Sequence, residues 1–179
     1  MNTTKRSQQL QDILVDRWLS GGFNELASDI CHSPTDIRIM FDLNNHPDAK
    51  IAWRSAYIID MIHDLDNALL KEYIPTIIKK LPNESNHSIK RHYARILTQY
   101  DLSELADGHL IDACFTWLQS EEIPIAVKAH CMLILFKLCK AYPDLKQELI
   151  IVLENLIPYG SKGVVNRAKK LLKDLYQNQ

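Results

Sequence analysis

Backbone punctuation is scarce in this 179-residue chain, with five glycines and seven prolines. So few breakers argue against a fold of many short strands and favour long helices. Long hydrophobic runs are missing too. The stretches "CMLILF" (131–136) and "LIIVL" (149–153) fall far short of the ~20 apolar residues that cross a bilayer, so no membrane partner is expected. The opening "MNTTKRSQQLQDILVDRW" has no apolar h-region, and we expect no secretory leader. Cysteine is sparse and unpaired in sequence: Cys31, Cys114, Cys131 and Cys139 form no C-x-x-C unit. Among apolar helical neighbours they read as buried free thiols of a reducing, cytoplasmic setting. An excess of one charge is absent as well, since 21 Lys and Arg face 22 Asp and Glu, a net of −1. A dedicated nucleic-acid binder carries a basic surplus, so nucleic acid is a disfavoured partner. The balance is uneven: residues 1–75 carry a net of −4 and residues 76–179 a net of +3.

What is present is helical periodicity. Apolar residues make up 46% and charged residues 24%, an ordinary globular composition. A chain of this length buries roughly 70% of its unfolded surface, so a core forms without staples. Leu10, Ile13, Leu14 and Trp18 mark a first helix that stops at Gly21-Gly22. Phe23, Leu26, Ala27 and Ile30 mark a second. Ser33 as N-cap, Pro34 at the first position and Asp36 in the first turn start a third, which ends before Pro47. Further helices are expected at roughly 49–64, at 67–81 with a kink or fresh start at Pro75, and at 87–100. Four more follow: one ending near Leu118, one from Pro124 to about Ala141, one from Pro143 to Ile157, and a last one carrying Val164, Ala168, Leu171, Leu172 and Leu175. The helix from Pro124 is apolar on most sides and should be buried. Ten helices and no alternating stretch predict an all-α protein with more than about 60% helix.

The helices repeat. "IAWRSAYIIDMI" (51–62) is echoed by "IKRHYARILTQY", "AVKAHCMLILFK" and "VVNRAKKLLKDL", so that Arg54, Arg91, Lys128 and Arg167 lie 37, 37 and 39 residues apart. A period near 40 with two helices per unit marks a helical solenoid. With its acidic-then-basic openings Asp48–Arg54 and Glu122–Lys128, the chain resembles the HEAT/armadillo superfamily. Ser85 and Ser161 stand where the other two units would carry the acidic residue. The resemblance implies an all-α, armadillo/HEAT-like right-handed α-α superhelix of about five hairpins. It also implies one domain over 1–179: a capping pair at 1–33, units at 34–81, 82–118 and 119–158, and a terminal helix at 159–179. The basic ladder then has two readings. The favoured one is structural, with each cation pairing or capping within the stack; the other is an exposed ladder for an anionic partner.

Signatures of chemistry are thin. His32, His46, His63, His87, His92, His109 and His130 show no H-E-x-x-H or other tight ligand spacing. His63, Asp64 and Asp66 read as a solvated helix end before they read as an acid–base site. "SGG" (20–22) and "YGSKG" (159–163) are not phosphate loops. We therefore expect no cofactor, no metal and no catalytic residue. The functional reading is a non-enzymatic scaffold that binds a protein or peptide on its concave face. Its candidate contacts are Trp53, Tyr57 and Asp60 on one second helix and Lys90 and Arg95 on the next, with core packing as the competing role for Trp53. The alternative is a HEAT-like DNA-binding or alkyl-base DNA glycosylase-type protein. For that activity the resemblance points to Trp53, Tyr57 and Asp60.

Overall fold

The computed structural model describes residues 3–16 and 22–177. Every regular element among them is helical. The α-helices are α1 Thr3–Asp16, α2 Phe23–Cys31, α3 Pro34–Leu43, α4 Ala49–Leu65, α5 Ile74–Lys80, α6 His87–Leu97, α7 Gly108–Gln119, α8 Ile125–Leu138, α9 Leu145–Leu156 and α10 Lys162–Gln177. The 3-10 stretches Asn67–Tyr73 and Leu81–Asn83 flank α5. Trp18 and the Gly21 stop of the first helix lie outside the described residues.

Helix starts follow local chemistry. Ser33 accepts a hydrogen bond from the Asp36 N–H, with Pro34 at the first position. Asp48 caps α4, Asn86 caps α6 and Asp107 caps α7 by the same device. The 67–81 segment departs from a single helix. Residues 67–73 wind as a 3-10 helix and α5 begins afresh at Ile74, so that Pro75 falls at its second residue. There its missing N–H removes no intrahelical bond. The helix expected over 87–100 ends at Leu97, where Thr98 turns its hydroxyl onto the Arg95 carbonyl at 2.6 Å. A side-chain donor that takes a backbone acceptor this way favours a helix end over its continuation.

The chain divides into two units, Met1–Ile74 and Pro75–Gln179. In the first, α1, α2 and α3 all pack against α4. Leu10, Leu14, Ile30, Met40, Ile58, Ile59 and Ile62 are fully enclosed there. A bidentate Arg6–Asp36 pair, with contacts of 2.7 and 3.1 Å, ties α1 to α3. Asn44 is buried but satisfied, donating to the Met40 carbonyl and to the Ser55 hydroxyl. Phe41 and Tyr73 stack with centroids 4.2 Å apart and hold the 3-10 stretch.

In the second unit α6, α8 and α10 run side by side as a row of second helices, backed by α7 and α9. α8 lies between the other two, with Val127, Cys131, Met132, Ile134, Leu135 and Leu138 all buried. All four cysteines are free, and three of them are buried. The Cys114 thiol meets that of Cys131 between α7 and α8, and this contact together with burial pushes Cys114 well above the ordinary thiol range.

A recurrent stitch appears in both units. Arg54 on α4 donates to the Leu14 carbonyl at the end of α1, 40 residues back, at 2.8 Å. Lys137 on α8 donates to the Thr98 carbonyl at the end of α6, 39 residues back. Tyr142 donates to the Ser103 carbonyl, also 39 residues back, at 2.7 Å. In each case a donor one repeat later takes a backbone acceptor at or beyond the end of an earlier helix, where carbonyls have no intrahelical partner.

Candidate functional site

On α4 the three expected contacts differ in access. Trp53 is half-buried, and the Arg54 guanidinium sits 5.7 Å from its ring centroid, within cation–π range. Tyr57, also half-buried, meets Phe23 of α2 edge-on, with centroids 6.1 Å apart at 81°. Part of its ring is thus committed to holding α2 on α4. Asp60 is only 6% exposed. Of the trio, the two aromatics keep some surface and the carboxylate lies within the unit. His63, one turn on, is likewise buried, with Asp64 at 3.6 Å.

On α6 the structure separates the two expected cations. Arg95 keeps part of its surface. Lys90 is 8% exposed, with its ammonium 4.5 Å from the Trp117 ring centroid. Burial lowers the Lys90 pKa from the usual lysine value, with Glu84 partly opposing the shift. The ladder cations also differ. Arg54 caps α1, Lys128 is half-buried, and Arg91 and Arg167 are exposed. The Arg91 guanidinium lies 3.2 Å from His92 Nε2.

Sequence reasoning missed a feature of the second unit. Between α8 and α10 run two depressions, of about 570 and 270 Å³, that share Phe136 and Asp174. Leu133, Phe136 and Leu171 contribute apolar surface to them. Arg167 and Lys170 stand at the larger depression, and Lys140 and Lys146 at the smaller. The signal was present on α10. Gly163, Asn166, Arg167, Lys170, Leu171, Asp174 and Leu175 recur at spacings of three and four, one stripe of a helix. It was hard to see because the stripe mixes cations, a carboxylate and leucines. A third depression, of about 500 Å³, lies at the opposite end of α8, among Ile125, Lys128 and the 92%-exposed Tyr159.

Among the described residues no group of three or more His, Cys, Asp or Glu is placed to hold a metal ion. None of the described helices is long and apolar enough to cross a membrane.

Paired helices stitched at a constant offset define an α-helical repeat protein. A HEAT repeat domain model matches residues 10–175, and the chain belongs to that family. Solved structures agree on the fold. An engineered protein aligns with a TM-score of 0.59 at 16% identity, covering 96% of this chain and 72% of its own. A designed armadillo repeat protein aligns with a TM-score of 0.52 at 11% identity, covering 94% and 91%. No curated protein matches this chain in sequence.

Proposed function

We propose that this HEAT repeat protein is a non-catalytic binding module that takes a protein or peptide on its second-helix surfaces. The observation that carries this reading is the α8–α10 groove. It combines half-buried apolar side chains, Leu133 and Phe136, with exposed directional cations, Arg167 and Lys170. An aromatic anchor ringed by polar groups is the arrangement that concentrates binding energy in an interface. Trp53, Tyr57 and Arg95 are the further contact residues of this reading, since each retains accessible surface on a second helix.

Affinity capture from the source cell tests it, comparing the unaltered chain with Phe136→Ala and Trp53→Ala beside thermal melts. The expected result is a partner whose capture falls on substitution by an amount equivalent to about 2 kcal/mol, with the melt retained. Capture that no substitution alters, with folded variants, overturns the reading. A melt that collapses for Trp53→Ala assigns Trp53 to the core.

A further inference from the structure

The α8–α10 groove also carries a chemical preference. We infer that it receives an acidic peptide segment, with carboxylates flanking a bulky apolar side chain. This inference rests on the proposed binding role and narrows it to one class of partner.

The charge arrangement is one-sided. Arg167, Lys170, Lys140 and Lys146 line the two depressions, against the single carboxylate of Asp174. Lys169 and Lys173 are exposed on the same helix but lie outside both linings. Length fits a peptide. The groove-facing residues of α10 run from Gly163 to Leu175, about 18 Å of helix at ~1.5 Å per residue. That spans about five residues of extended chain at ~3.4 Å each.

The apolar floor separates a peptide from a nucleic acid. A phosphodiester backbone would cover little of Leu133, Phe136 and Leu171. A leucine or phenylalanine side chain would bury that floor, while neighbouring carboxylates met Arg167 and Lys170. Guanidinium suits a carboxylate because it donates two parallel N–H bonds.

The test is selection of a displayed library of random dodecapeptides on the full chain, followed by fluorescence titration of a labelled selected peptide. The selected sequences are expected to be rich in Asp and Glu around Leu, Phe or Trp. Affinity should drop at least ~10-fold for the double variant Arg167→Glu, Lys170→Glu, and change little for Lys173→Glu, which controls for the general field. A peptide with glutamine in place of its acidic residues should lose a similar factor on the unaltered chain, a readout independent of whether any variant folds. Four results overturn the inference: an empty selection, selected peptides with no acidic enrichment, affinity unmoved by the double reversal, or labelled random-sequence duplex DNA that binds more tightly than the peptide. If Phe136→Ala abolishes peptide binding while charge reversal does not, the binding role stands and the acidic class falls.

Discussion

Leu135 sits at the centre of the enclosed helix α8 with no exposed surface. Truncating it leaves a cavity on top of the lost transfer energy, so Leu135→Ala should cost about 2–5 kcal/mol in denaturant unfolding. A loss below ~0.5 kcal/mol would show that α8 is not central to the core. Lys173 is the contrasting residue. It is exposed on α10, and Lys173→Ala should move stability by less than ~0.5 kcal/mol in the same titration. Core residues of this kind were legible in the sequence, because Phe23, Leu26, Ala27 and Ile30 recur at helical spacing and are all buried. Polar residues were not. Nothing in their spacing tells Asp60 and Lys90, both buried, from exposed members of the same stripe. Lys90 becomes readable only once α7 lays Trp117 beneath its ammonium.

At the scale of elements, caps and turns decide where helices sit. The turn between α9 and α10 needs a glycine, since a Cβ on Gly160 would lie 2.6 Å from the Leu156 carbonyl oxygen. That oxygen is backbone and accepts the Gly160 N–H at 2.8 Å, so it has little room to retreat. Gly160→Ala should therefore destabilise by roughly 1–3 kcal/mol, as overpacked sites do, read by thermal melting. The Ser33 cap is smaller in effect: Ser33→Ala should cost about 1 kcal/mol. Starts of this kind were visible in sequence, because a cap is a local motif. Ends such as Leu97 were not, because Thr98 can terminate a helix or continue one, depending on where its hydroxyl points. The α8–α10 groove escaped for a related reason. It depends on which faces two helices present to each other, and a period near 40 says only that they are neighbours.

For the whole molecule, the groups shifted by burial set an alkaline limit. Burial lifts Cys139 from the usual thiol value to about 11 and raises Cys31, Tyr73 and Tyr93, while contact with Cys131 and then burial raise Cys114. Each is an acid held protonated in the folded state. Its contribution is therefore intact below its ordinary pKa and is lost as pH climbs through the folded one. For Cys139 that window runs from about 9 to about 11. Lys80 and Lys90, lowered mainly by burial, act in the opposite sense: their penalty lifts as pH rises through their folded values towards 10.5. Five lifted acids, Cys31, Tyr73, Tyr93, Cys114 and Cys139, against the two lowered lysines predict a melting temperature that falls above about pH 9, with a shallower fall for Cys139→Ala. A melting temperature that rises across this range would show that the lysines dominate.

The stitch at an offset of 39 or 40 residues also has a consequence for synthesis on the ribosome. The side chain that takes the terminal carbonyl of α1, or the carbonyl just past α6, is translated 40 or 39 residues after that carbonyl. At ~5–20 residues per second that donor arrives about 2–8 seconds later. During this interval those carbonyls lack the side-chain donor that holds them in the folded chain. A pause in translation just before Arg54 or Lys137 would lengthen that wait, and exposure of nascent chain to proteases should increase with it.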